Sequence, residues 1–153
     1  MIRNERRLRL CKLGLVLILA FIWGNSLLPA TSSLSFSEWV RSLLTRSAPV
    51  AYGEINWKSA LIRKLAHFAE FGGLGVFMAW YHGMLGKRMI RAWGLCTAAA
   101  CIDETIQFFV PGRGPGLYDV AIDSLGAATG IALVYFGHTL LKKRSTKQQL
   151  EDN

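Results

Sequence analysis

The feature that most constrains this chain is the gathering of its apolar residues into long blocks, with most charge left in the segments between them. Residues 13–28 and 71–86 contain no Asp, Glu, Lys or Arg, and residues 120–141 contain only Asp123. A fourth block, 92–110, is apolar through its first half and turns polar at Asp103, Glu104 and Gln107. A membrane-crossing helix needs about 20 mainly apolar residues, within a range of roughly 17–25. Each block reaches that length once a turn of its flank is included. The pattern predicts an all-α, polytopic membrane protein: a four-helix transmembrane bundle with spans near 10–28, 66–86, 91–110 and 119–141. Residues 1–144 then form a single membrane domain with an outer loop at 29–65, and residues 145–153 a polar C-terminal tail.

Two other readings explain part of the pattern. The first block, with Arg3, Arg6, Arg7, Arg9 and Lys12 ahead of it and LLPATSS behind it, has the outline of a signal peptide. It lacks an evident cleavage site with small residues at both key positions. A soluble helical protein would have to hide three further blocks of span length, for which 153 residues leave little water-tolerant surface. Cysteine adds no framework. Cys11, Cys96 and Cys101 show no metal-ligand spacing and read as small apolar residues.

Charge predicts orientation. Short loops rich in Lys and Arg stay in the cytoplasm. The N-terminal dozen residues, the 87–91 turn with Lys87, Arg88 and Arg91, and the segment with Lys142, Lys143, Arg144 and Lys147 are all basic. Four spans place these three segments on one side, so both termini are expected in the cytoplasm of a multi-pass plasma-membrane protein. The net charge of +8 then reflects topology and contact with anionic membrane lipids. No helix offers a continuous basic face, so nucleic acid is not an expected partner. Within the outer loop, Phe36, Trp39, Val40 and Leu43 repeat at helical spacing, as in an amphipathic helix on the membrane surface.

On this topology the polar residues of the spans converge in depth. Lys64, His67 and Glu70 lie at the outer end of the second span, Asp103, Glu104 and Gln107 at the outer end of the third, and Asp119 and Asp123 at that of the fourth. The turn PGRGPG, residues 111–116, carries Arg113 to the same layer. Lys64, His67 and Glu70 are three apart, while Asp103 with Gln107 and Asp119 with Asp123 are four apart, so each set shares a helix face. A charge in the bilayer costs about 2.5–3.5 kcal/mol on insertion scales, so such faces are expected to turn inward. Glu104, about 100° around its helix from Asp103, is the member best suited to a lipid headgroup or a neighbouring helix. Any one of these residues has a bland reading as an interfacial polar group or a structural ion pair. Gly72, Gly73, Gly75, Gly126 and Gly130 would let spans approach closely around the set. His82 and His138 fall towards the other side with no evident partner.

KLAHFAEFGGLG at 64–75, DETIQFFVPGRGPGLYDVAIDSLGAATG at 103–130 and GNSLLPATSS after the first block together resemble the VanZ-like family of bacterial integral membrane proteins. Asp123 stands where many members have Asn. The resemblance implies a small multi-span protein of the cell envelope, and carries the family's polar positions onto Lys64, His67, Glu70, Asp103, Glu104, Gln107, Arg113 and Asp119. The family's namesake is associated with resistance to the lipoglycopeptide teicoplanin. A fold supports many functions, so resistance is not assigned to this chain on likeness alone.

The set suits a site for an anionic, lipid-linked envelope substrate such as a phosphate or pyrophosphate precursor. Lys64, Arg113, Asp119, Asp123, Glu104 and Gln107 would bind it, and His67, oriented by Glu70 or Asp103, would act as a general base. Five acids (Glu70, Asp103, Glu104, Asp119, Asp123) face three bases (Arg63, Lys64, Arg113), a surplus of two negative charges. That surplus calls for a divalent cation or a shared proton, with His67, Glu70, Asp103 and Asp119 as candidate ligands. Two alternatives remain open: a proton- or ion-coupled carrier, for which four spans would call for a homo-oligomer, and a non-catalytic accessory subunit of an envelope complex.

Overall fold

Apolar blocks without strand alternation fold as helices, and helices are all that the computed structural model contains among its described residues, 2–46, 57–114 and 116–151. There are five: α1 (Ile2–Ser26), α2 (Ala30–Thr45), α3 (Trp57–Met84), α4 (Met89–Phe108) and α5 (Leu117–Glu151). The extra helix, α2, occupies the expected outer loop. Pro49 and Glu54 of that loop, Pro115 of the PGRGPG turn and the last two residues of the tail lie outside the described residues. α3 begins well before residue 66, so Arg63 and Lys64 stand on the helix rather than ahead of it. α5 runs on through most of the expected tail.

The chain turns back between α3 and α4 at Gly86, where φ is 63°, a conformation open to glycine because it has no Cβ. Lys87 N–H closes the turn on the His82 carbonyl at 2.9 Å. α1, α3, α4 and α5 alternate in direction. Asn25 at the end of α1 meets Glu70 near the start of α3, and Cys11 near the start of α1 meets the Phe77 carbonyl towards the end of α3. The bundle therefore has a polar end, where α1 and α4 finish and α3 and α5 begin, and a far end.

α3 is the hub. Its pairing with α5 is the most extensive in the molecule, and α1, α2 and α4 also pack on it. The α3–α5 crossing is closed by glycine. A Cβ on Gly126 would run into the Phe68 carbonyl, one on Gly130 into the Gly72 carbonyl, and one on Gly75 into the Ala127 carbonyl. Gly73 faces α1 instead, where its Cβ would meet Ile18 at 3.0 Å. The core that results is thin and made largely of small residues: Ile22, Phe71, Leu74, Cys96, Ala99, Ala100 and Ala127. Burial of Ile22 in it, with Trp23 Nε1 donating to the Ala99 carbonyl at 3.4 Å, makes α1 part of the fold.

Among the described residues, two helices are long and apolar enough to cross a membrane, Asn4–Ser26 and Leu117–Lys142. α3 and α4 fall below that standard because His67, Glu70, Arg91, Asp103 and Glu104, together with their glycines, dilute the hydropathy. The apolar side chains of the two qualifying helices point outward: Leu13, Leu17 and Phe21 on α1, and Leu133, Phe136 and Leu140 on α5, are each more than 50% exposed. Surfaces of that extent are rare on proteins surrounded by water.

α2 reverses the amphipathic pattern of a soluble protein. Ser37, Glu38 and Ser42 are buried, while Phe36, Trp39, Leu43 and Leu44 face away from the protein. Arg41 forms a bidentate pair with Glu38, whose hydrogen bond raises the arginine pKa above its ordinary value.

A polar cluster at one end of the bundle

Three side chains from three helices meet at the centre of the polar end. His67 comes from the first half of α3, Asp103 from the last turns of α4, and Asp123 from the second turn of α5. His67 Nδ1 lies 3.9 Å from Asp103 Oδ2 and 3.8 Å from Asp123 Oδ1. Both aspartates are 0% exposed. The glycine crossing determines this meeting, because Gly126 sits one turn beyond Asp123 and touches the residue after His67.

The other charged side chains form a ring of pairs. Lys64 Nζ is 3.0 Å from Asp119 Oδ1, at a half-exposed position. Glu70 accepts a hydrogen bond from Asn25 Nδ2 at 3.0 Å. Gln107 Nε2 donates to Asp103 Oδ2 at 2.6 Å and to Ser26 Oγ at 3.4 Å. Glu104 is buried and accepts the Gly116 N–H at 2.7 Å, which ties the end of α4 to the start of α5. Of the two roles expected for it, this is the contact with a neighbouring helix rather than with a headgroup. Arg113 donates to the Asn25 carbonyl at 3.4 Å. Burial lowers its pKa, with Arg63 adding to the effect and Asp103, Glu104 and Glu70 opposing it.

The structure thus divides the residues expected in one site. His67, Asp103 and Asp123 come together. Glu70 and Asp119, two of the expected metal ligands, are held aside by Asn25 and Lys64. Arg113 lies at the polar end but does not line the small cavity there. That cavity, of about 10 Å³, is bounded by Arg63, Lys64, His67, Glu104, Gln107, Asp119 and Asp123. It has room for one water or bare ion, so a larger ligand would have to sit at its mouth, beside Arg63 and Lys64.

Many polar atoms here are buried without a hydrogen-bond partner: His67 Nδ1, Glu70 Oε2, Asp103 Oδ1, Glu104 Oε1, both oxygens of Asp123, and Nε and Nη1 of Arg113. Natural interiors satisfy most such groups, and their concentration at one place makes this cluster the candidate site. Asn25 and Ser26 belong to it and were not singled out from spacing. Their signal was a polar pair closing an apolar run at the depth where the other polar residues lie. Elsewhere, His82 is buried with Nδ1 3.0 Å from the Met78 carbonyl, and the three cysteines are free.

The model of the family described as VanZ/LLP1 matches residues 13–141 of this chain. No curated protein and no solved structure matches it.

Proposed function

The chain belongs to the VanZ/LLP1 family, and from that premise we propose that it is a multi-pass protein of the bacterial plasma membrane whose polar end binds or processes an anionic, lipid-linked envelope substrate. In this reading α1, α3, α4 and α5 all cross the bilayer and both termini are cytoplasmic. Supporting it are the alternating helix directions, the outward apolar faces of α1 and α5, and the basic segments that share the far end. The polar end then faces the periplasm or the cell exterior.

The observation that carries the site reading is the cavity, which His67 and Asp123 of the buried centre line together with Arg63 and Lys64. A phosphate or pyrophosphate would rest on those two cations, while its lipid tail lies along the exposed apolar surface beside them. Leu65, exposed in the same turn of α3, begins that surface. His67, with carboxylates on two sides, is placed to take a proton from a water or hydroxyl held at the mouth. Glu70, held through Asn25, supports the α1–α3 contact behind it.

Lipid extraction from purified protein, followed by mass spectrometry, tests this directly. The expected result is a phosphate-bearing lipid enriched over the bulk membrane, and lost in Lys64→Met and in an Arg63→Met, Lys64→Met double variant. Equal lipid profiles for wild type and both variants would refute it. A purely structural cluster would leave the cell phenotype unchanged in His67→Ala present at normal membrane levels. Proton or ion flux through protein-loaded liposomes would point to the carrier reading instead.

A further inference from the structure

The two buried aspartates pose a problem that the helices alone do not solve. Asp103 and Asp123 are completely enclosed and carry three oxygens with no hydrogen-bond partner. His67 Nδ1, also unpartnered, stands 3.9 Å from Asp103 Oδ2 and 3.8 Å from Asp123 Oδ1, beyond hydrogen-bond range. Burying like charges unpaired is strongly unfavourable, and natural folds do not keep such an arrangement without compensation. One ligand atom from each of His67, Asp103 and Asp123 lies within 4.8 Å of the other two.

We propose that His67, Asp103 and Asp123 bind a divalent transition-metal ion. Ligands about 2.1 Å from an ion stand about 3.0–3.4 Å from one another, so the two His67–carboxylate distances of 3.9 and 3.8 Å must shorten by about 0.4–0.9 Å, and the two carboxylates, within 4.8 Å, must close by as much as about 1.8 Å. The cavity of about 10 Å³ beside the cluster has room for a water as a further ligand. Imidazole favours zinc, iron, copper or nickel over magnesium and calcium, which take oxygen ligands. The two carboxylates cancel the charge of the ion. Gln107 holds Asp103 in place at 2.6 Å and leans on Ser26 behind it, as partners of ligating groups do at metal sites. Glu70 and Asp119 stand outside the ligand set because Asn25 and Lys64 occupy them.

This inference rests on the reading of the polar end as a ligand site, and its test keeps the two apart. Full-length protein in lipid nanodiscs is stripped with chelator and titrated with Zn²⁺, Mn²⁺ and Co²⁺, with bound metal counted by elemental mass spectrometry. The expected result is one ion per chain, with visible absorption bands in the Co²⁺ form. Affinity should fall by at least about tenfold in Asp123→Asn and His67→Gln, and survive in Glu70→Gln and Asp119→Asn. Circular dichroism reports whether each variant is folded. If the ligand variants unfold, wild-type protein decides the matter by infrared spectroscopy: a protonated carboxyl band in the stripped form should vanish when metal is added. No stoichiometric ion on folded wild type, unchanged affinity in Asp123→Asn, or a protonated carboxyl band that persists with metal would overturn the proposal in favour of a shared proton. Lipid phosphorus measured on the same stripped sample shows whether the substrate reading stands without the metal.

Discussion

The two ends of the bundle are built from the same four helices and could hardly differ more. At the polar end the cavity measures about 10 Å³ and is walled almost wholly by polar and charged side chains, with Ile122 the one apolar member. Towards the far end a groove of about 900 Å³ opens over Phe77, Trp80 and Met84 of α3, between Leu10 of α1 and Tyr135 of α5. Glycine accounts for the difference. The seam at Gly72, Gly75, Gly126 and Gly130 pulls α3 and α5 together over the polar half. Beyond it the crossing relaxes, and Gly137 has no atom within 4 Å of where its Cβ would be. On the proposed membrane reading, apolar attraction between helices is weak and close packing must supply the association. Close packing is concentrated where polar groups have to be held in register.

The largest effect should come from disturbing the seam. Gly126→Leu would force a side chain into the Phe68 carbonyl, and overpacking of this kind costs about 3 kcal/mol or more where backbone cannot retreat. The same change at Gly137 should be neutral or mildly stabilising, since leucine is the better helix former by about 0.5–1 kcal/mol. Thermal unfolding of both variants in detergent checks the contrast. Similar melting of the two proteins would mean that the close crossing is not where the structure places it.

Next come two substitutions at the polar end whose effects differ in sign. Asn25→Ala removes the donor from buried Glu70 and should destabilise by about 1–3 kcal/mol. Asp123→Asn removes an uncompensated buried carboxylate. In metal-free protein it should stabilise, by about 1–3 kcal/mol, and it should abolish any rise in Tm on adding Zn²⁺. Melting curves of wild type and both variants, each with chelator and with Zn²⁺, read out these effects. A destabilised Asp123→Asn in metal-free protein would mean that the carboxylate has partners in the fold after all.

These signs explain how far the sequence was legible. Depth was readable: the apolar blocks and the three- and four-residue spacings brought His67, Asp103 and Asp123 to one level and one inward side. Rotation was not. Which of five carboxylates faces the imidazole depends on how α3 and α5 turn against each other, and that is decided by carbonyls at Phe68 and Gly72 meeting specific glycines. The spacing favoured Glu70 over Asp123 as a partner of the imidazole, but Asn25 claims Glu70 and Asp123 stands beside His67 instead. The orientation of α2 was half readable. Its apolar repeat of Phe36, Trp39 and Leu43 was evident, yet only the fold shows that the opposite stripe, Ser37, Glu38 and Ser42, is the one packed against protein.

A smaller effect separates the rim from the centre of the polar end. Lys64 and Asp119 form a pair whose side chains are 41% and 28% exposed, and an ion pair this wet contributes about 0–1 kcal/mol. Lys64→Met should therefore melt close to wild type while losing bound anionic lipid. A large drop in Tm would make Lys64 a structural residue and remove it from the substrate reading.

The smallest effect on stability should come from α2. Trp39→Gln with Leu43→Gln changes two residues that touch little of the protein and point away from it, so unfolding in detergent should shift by no more than about 0.5 kcal/mol. Burial on the opposite face predicts the reverse for Ser42→Leu, whose side chain is 9% exposed and whose hydroxyl donates to the Trp39 carbonyl at 2.7 Å; there a bulky apolar group has no room. If both variants behave alike in detergent, α2 is not docked through its polar stripe. If they differ in detergent but the Trp39, Leu43 pair also loses membrane partitioning in lipid vesicles, the outward apolar stripe of α2 is a contact with the bilayer. Its inverted amphipathicity would then share an origin with the glycine seam, because in both places the helix turns its small and polar residues towards protein and leaves its bulk to the lipid.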